Sequence, residues 1–171
     1  MYKTTIIGIE ARDSYDVHQQ IAQYCDGIHH LWRRDGDNVV VVSDTAPTGE
    51  LRTGMVCATT AVQDVSKGQR FPVLLCLCAC THSTATGKYT QIKDADLEPW
   101  LRKHMPGFRA TYIRALRGRD VAEKPGHTVT LGTFEVSAMV EVEDAEAAAQ
   151  VLRSGVGRAR RFGCGLVLVL A

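Results

Sequence analysis

The chain has 171 residues, 45% of them hydrophobic and 23% charged, with a formal net charge of +1. That is room for one ordinary domain or two small ones packed together, and the composition excludes a disordered or low-complexity chain. The opening MYKTTIIGIEARD holds too short an apolar run for a signal peptide or membrane span, so a cytoplasmic location is expected. In that compartment the six cysteines, at 25, 57, 76, 78, 80 and 164, are expected to stay reduced, without disulfides.

Taken in chain order, YKTTIIGIE (2–10) is β-branched and predicts a strand. Asp13 or Ser14 can cap a helix running to about Cys25, in which Val17, Ile21, Tyr24 and Cys25 recur as a buried stripe. IHHLWRR (28–34) and NVVVVSD (38–44) flank the turn signal DGD and predict a hairpin. Residues 45–70, with Pro47, Gly49, Gly54 and Gly68 around MVCATTAVQDV, predict a loop or short helical turn and then a strand. FPVLLCLCACT (71–81) is apolar on both faces and predicts a covered central strand. After a Ser/Thr/Gly-rich loop, DADLEPWLRKHM (94–105) predicts a helix with Asp94 near its cap and Pro99 early enough to be tolerated.

FRATYIRAL (108–116) and HTVTLGTFEVSAMVEVE (127–143) predict strands separated by the basic segment RGRDVAEKPG. DAEAAAQVLRS (144–154) is Ala-rich with acids in its first turn, which suits a helix, and CGLVLVLA predicts the closing strand. The order spells βαββαβ twice: an α+β fold of two tandem ferredoxin-like (RRM-like) domains, residues 1–70 and 71–171, the first with a degraded second helix. Such a fold by itself implies no function.

Charge is segregated along the chain. Arg102 to Lys124 holds seven Lys/Arg against Asp120 and Glu123, whereas Glu135 to Glu146 holds five acids and no base. Arg153, Arg158, Arg160 and Arg161 then come without an acid. Such patches suit a polyanion bound at one face, and equally suit a solvated face with ordinary ion pairs.

Three stretches could carry chemistry. In SGVGRARRFGCG the glycines at 155, 157, 163 and 165 bracket Arg158, Arg160 and Arg161. The spacing is not that of a dinucleotide fingerprint, and the loop follows a helix and precedes a strand, the reverse of nucleotide-binding order, so no nucleotide or other small-molecule cofactor is expected. The loop is either a set of glycine-requiring turns with surface arginines or a phosphate-holding loop. Of Tyr15 and His18, three apart on the first helix, Tyr15 falls well outside its buried stripe and His18 at the margin. A histidine with a pKa near ~6.5 trades protons at neutral pH beside a phenol that can orient it, although spacing alone also fits an idle surface pair. Cys76, Cys78 and Cys80 lack the turn that closes around zinc and are expected to pack a sheet as buried thiols. His29 and His30 point to opposite faces of a strand, His82, His104 and His127 have no evident partner, and no metal site is predicted.

RDSYDVHQQI and the terminal SGVGRARRFGCGLVLV, two separated motifs in this order, resemble the catalytic helix and the C-terminal glycine-rich signature of the CasE family of CRISPR repeat-processing endoribonucleases. The apolar strand at 71–81 and the WL-containing helix at 100–101 fall in matching order, so the likeness spans nearly the whole chain. The resemblance implies a metal-independent endoribonuclease that cuts precursor CRISPR RNA beside a repeat stem-loop. It implies cleavage in which an upstream 2′-hydroxyl attacks the adjacent phosphate and leaves a 2′,3′-cyclic phosphate. It further implies that His18 is the main proton-transfer residue with Tyr15 as its partner, and that Gly155, Gly157, Arg158, Arg160, Arg161, Gly163 and Gly165 hold the RNA backbone. The family places a hairpin in the RNA where this chain has its brief basic segment, which gives Arg114, Arg117, Arg119 and Lys124 a role on the stem. The implied partners are the CRISPR repeat RNA stem-loop and other subunits of a CRISPR surveillance complex, with no membrane. A non-catalytic RNA-binding subunit of the same machinery is the alternative.

Overall fold

The computed structural model describes residues 1–124 and 126–170. Its first half comprises β1 (Tyr2–Ile7), α1 (Ser14–Cys25), β2 (His30–Asp35), β3 (Asn38–Ser43) and β4 (Met55–Ala61), paired antiparallel in the order β2-β3-β1-β4. Valines at 39, 40 and 41 suit a strand covered on both faces, Val39 and Val41 entering one core cluster and Val40 another. Asp35 pairs with Asn38 across a two-residue turn in which Gly36 takes φ 60°, as such tight hairpins require. The stripe of α1 packs as the spacing predicts: Val17, Ile21, Tyr24 and Cys25 form one core cluster with Ile6, Trp32, Val39 and Val41.

No helix forms between β3 and β4. The intervening loop is instead fastened to α1: the Gly49 N–H donates to the Tyr24 carbonyl at 3.1 Å, and the Thr53 hydroxyl donates to Gln20 Oε1 at 2.7 Å. Gln20, almost fully buried, in turn donates to the Glu10 carbonyl at 2.8 Å, so both ends of its amide are satisfied and the helix is fixed about its axis.

The second half comprises β5 (Arg70–Leu77), a small hairpin β6 (Cys80–His82) and β7 (Tyr89–Gln91), α2 (Leu97–His104), β8 (Phe108–Lys124), β9 (His127–Val142), α3 (Ala145–Ser154) and β10 (Val167–Val169). The main sheet has the order β10-β5-β9-β8, the same ferredoxin-like permutation as the first. Asp144 caps α3, accepting from the Glu146 and Ala147 N–H groups at 3.0 and 3.1 Å. Leu75, Leu77, Leu101, Phe134, Val140 and Leu152 centre its core, each buried side chain contributing roughly 1.5–3 kcal/mol.

Leu31 and Val40 of the first half meet Leu166 and Leu168 of the second in a cluster of their own. Beside it the buried Arg33 donates to Glu135 at 3.3 Å across the two halves. Among the described residues no helix is long and apolar enough to cross a membrane.

Four expectations are corrected. The strand expected over 71–81 breaks after Leu77, so Cys80 lies in β6 and the three cysteines do not share one strand. Cys76, Cys78 and Cys80 are half-buried, while Cys25 and Cys164 are the buried thiols. The segment 117–124 is not a connector but the far end of β8, paired with β9 out to Lys124 opposite His127. The closing strand occupies only Val167–Val169, because the residues before it are committed to the glycine-rich loop.

Candidate functional site

The start of α1 is held from two sides. Asp13 stands in extended backbone and caps the helix, Oδ1 accepting from the Asp16 N–H at 2.8 Å. Its other oxygen accepts from the Glu123 N–H at 2.7 Å, tying the end of β8 to the helix across 110 positions of sequence. Burial pushes the Asp13 carboxyl up, but N–H donors from Asp16, Glu123 and Tyr15 outweigh it and hold its pKa below the usual carboxylate value. On the other side Arg52 bonds Asp16, whose pKa this hydrogen bond lowers against its partial burial.

From this anchored turn Tyr15 and His18 project side by side, half-buried, with ring centroids 6.4 Å apart at 45°. Nδ1 of His18 is buried and meets no hydrogen-bond partner among the described residues. Its pKa is lowered first by burial and then by the neighbouring His30, Arg161 and Lys124. The imidazole is therefore neutral at neutral pH and able to accept a proton.

The cations near it come from distant parts of the chain. Lys124 puts Nζ 5.7 Å from the Tyr15 ring centre and 5.1 Å from that of Phe162, between α1 and the C-terminal loop. Phe162 ends a single 3-10 turn, Arg160–Phe162, entered through Ala159 at φ 60°. His30 is fixed by the Ile28 carbonyl, 2.8 Å from its Nδ1.

The glycines build this loop rather than its outer surface. A Cβ on Gly165, at φ 88°, would lie 2.5 Å from the Val156 carbonyl oxygen, and one on Gly155 2.8 Å from the Gly165 oxygen, so the two arms of the loop touch backbone to backbone. The arms are joined where Val156 N–H donates to Gly165 O at 2.8 Å, and Gly165 N–H donates to Cys76 O at 2.7 Å. Gly163 lies against the Trp32 ring, and Gly157 against Trp100 and the Cys78 carbonyl. What the loop turns outward is Arg158, Arg160 and Arg161, all exposed and in no ion pair among the described residues.

Of the four cations singled out on the basic segment, Lys124 alone reaches Tyr15. Arg114 and Arg119 are exposed along β8, opposite Ser137 and Gly132. Arg117 turns back onto the protein, bonding Asp94 at 2.5 Å and the Ile92 carbonyl at 3.0 Å over the Phe134 ring. Sequence reasoning missed Phe162 and His30, and the only available signal was their adjacency to Arg161 and His29. A cavity of about 400 Å³, lined by Met1, Val65, Phe71 and Leu152 among others, is bordered by none of these residues.

A neutral base, a phenol and several cations that enter no ion pair among the described residues, gathered on one surface, suit proton transfer on a phosphodiester. Comparison with curated protein sequences returned no match. Among solved structures, an endoribonuclease Cse3 bound to 19-nucleotide RNA is 22% identical with a TM-score of 0.88, each chain covered fully. Cse3 of Thermus thermophilus, bound to an RNA representing a pre-cleavage complex, is 22% identical at TM-score 0.85, covering 99% of this chain and 98% of that one. The CRISPR-associated protein Cas6e of Escherichia coli K-12 is 19% identical at TM-score 0.77, with coverage of 99% and 98%. These likenesses carry the fold, while the family model described as "CRISPR associated protein" matches residues 8–170, so the chain belongs to the CRISPR-associated protein family.

Proposed function

We propose that this protein is an endoribonuclease that cleaves precursor CRISPR RNA at a repeat stem-loop without a metal ion and remains on the product. The observation that carries the reading is convergence. Tyr15 and His18 of α1, Lys124 at the end of β8 and Phe162 with Arg161 of the C-terminal loop meet at one place, and Asp13 fastens two of those segments together. Support for the substrate comes from relatives of the same fold described as bound to RNA. Others of that fold are described as a CRISPR RNA-guided surveillance complex, which supports a lasting place beside other subunits.

In this reading neutral His18 takes the proton of a 2′-hydroxyl, and the freed oxygen attacks the neighbouring phosphorus. Lys124 and Arg161 offset the charge that builds on the phosphoryl oxygens. The bond to the 5′-oxygen breaks as Tyr15 gives it a proton, and the imidazolium then restores the phenol. The products are a 2′,3′-cyclic phosphate and a 5′-hydroxyl. The halves at residues 1–70 and 71–171 divide the work: the first carries proton transfer, the second the cations. Arg114 and Arg119 on β8, and Arg158 and Arg160 on the loop, hold RNA phosphates on either side.

The test is incubation with the host's repeat RNA in EDTA. One cut is expected, lost in His18→Ala while binding persists, and a 2′-deoxy residue at the cut should block it. Binding without cleavage by the unaltered protein would instead establish a non-catalytic RNA-binding subunit.

A further inference from the structure

The β6–β7 hairpin carries side chains that the cleavage reading leaves unused. Its register sets His82 opposite Tyr89, and the two rings lie with centroids 4.5 Å apart at 34°. Tyr89 is 50% exposed, so much of this aromatic ledge faces solvent.

The hairpin is joined to the C-terminal loop. An isolated antiparallel bridge pairs Cys78, just before β6, with Arg158. The Arg158 guanidinium carbon stands 3.6 Å from the centre of the Tyr89 ring. Stacking of this kind fixes the plane of a guanidinium and leaves its N–H edges free, in the fork geometry that matches phosphate oxygens. Among the described residues no carboxylate takes up those N–H groups.

We propose that Arg158, Tyr89 and His82 form a subsite for one unpaired ribonucleotide, Arg158 holding its phosphate and the exposed rings stacking its base. The proposal rests on the RNA reading given above. A base can lie on a protein ring only when released from its own stack, so the ligand is single-stranded RNA rather than the stem. Arg158 is three residues from Arg161, which bears on His18, and that length of chain spans at most about 10 Å. The subsite therefore holds a nucleotide close to the cut, on the unpaired side of the stem. An acidic peptide of a partner would use the cation but not the rings, which is why RNA is favoured.

The experiment measures dissociation constants by fluorescence anisotropy in a His18→Ala background, so that the RNA stays whole. Two RNAs are compared: the repeat with its single-stranded flanks, and the stem-loop trimmed of them. Tyr89→Ala is expected to weaken binding of the flanked RNA about tenfold and leave the trimmed stem-loop unaffected. Tyr89→Phe, which keeps the ring, should bind like the parent, and Arg158→Ala should lower the salt slope by about one. If Tyr89→Ala proves unfolded by thermal denaturation, the Arg158 slope and a His82→Ala loss confined to flanked RNA decide the matter. Equal affinity of Tyr89→Ala and parent for flanked RNA overturns the subsite, as does an equal loss on both RNAs. In either case the functional reading stands, whereas a parent that binds neither RNA overturns both.

Discussion

Two helices in equivalent places of the two halves each carry an aromatic ring and a histidine, yet the pairs behave differently. In α2 the rings of Trp100 and His104 are stacked, 4.0 Å apart at 13°, and His104 Nδ1 donates to the Trp100 carbonyl at 2.8 Å. Trp100 is nearly buried and supports the C-terminal loop at Gly157. In α1 the rings stand 6.4 Å apart, His18 Nδ1 has no partner among the described residues, and cations surround it. An aromatic–histidine pair close in a helix is thus no signature of chemistry. What separates the two is whether the fold has already consumed the imidazole's hydrogen-bonding capacity.

The hardest test of that contrast is His18→Ala. Loss of a general base is expected to cost on the order of 10³-fold in single-turnover cleavage, with RNA affinity kept. A loss under about tenfold would mean that the open pair in α1 is no more chemical than the sealed one in α2.

A second test alters the electrostatics while keeping both rings. Lys124→Met removes a cation lying over Tyr15 and near His18, and cleavage should fall on the order of tenfold to a hundredfold. The pH profile adds a signature. Burial and neighbouring charges hold the His18 pKa below its ordinary 6.5, so the rate should fall, as pH drops, only below that value. Without Lys124 one depressing charge is gone, and the acid limb should move up in pH. A limb that stays put, or moves down, would remove Lys124 from the surroundings of the base.

A smaller effect is expected from Asp13→Ala, which takes away the cap that also holds β8. Loss of such a cap costs about 1–2 kcal/mol, read by urea unfolding at pH 7. The Asp13 pKa is depressed in the fold, so its contribution is complete above the ordinary 3.8 and disappears as pH falls through the lower folded value. The gap between variant and parent should therefore narrow at acid pH. A gap independent of pH would mean that the carboxylate's charge has no part in joining helix and hairpin.

The α1 side of this contrast was legible in the sequence, because the Val17, Ile21, Tyr24, Cys25 stripe and the Asp13 cap state the helix and leave Tyr15 and His18 off its buried face. The far end of β8 was not. From Arg114 to Arg119 every residue is exposed, so no alternation of apolar and polar side chains announces a strand extending to Lys124. In the terminal loop the glycines signalled close backbone, as found at Gly155 and Gly165, but spacing does not say which side chains then turn outward. His82 and Tyr89 bracket a Ser/Thr/Gly-rich stretch that reads as plain loop, and only the β6–β7 register brings them together.

The smallest effect belongs to the sealed pair. His104→Ala removes one hydrogen bond to backbone and one stacked ring, together worth about 1–2 kcal/mol. For a chain of this length that is a fall in Tm of roughly 2–8 °C. Trp100 keeps its place in the core beside Leu97 and Leu101, so the loop it supports should keep its shape and the cleavage rate should stay within about twofold of the parent. The measurement that matters is the pairing of the two readouts in one protein. Stability lost with the rate kept marks His104 as packing. A rate that falls with full stability would mean that α2 reaches the reaction through Trp100 and Gly157, and the two helices would then differ in degree rather than in kind.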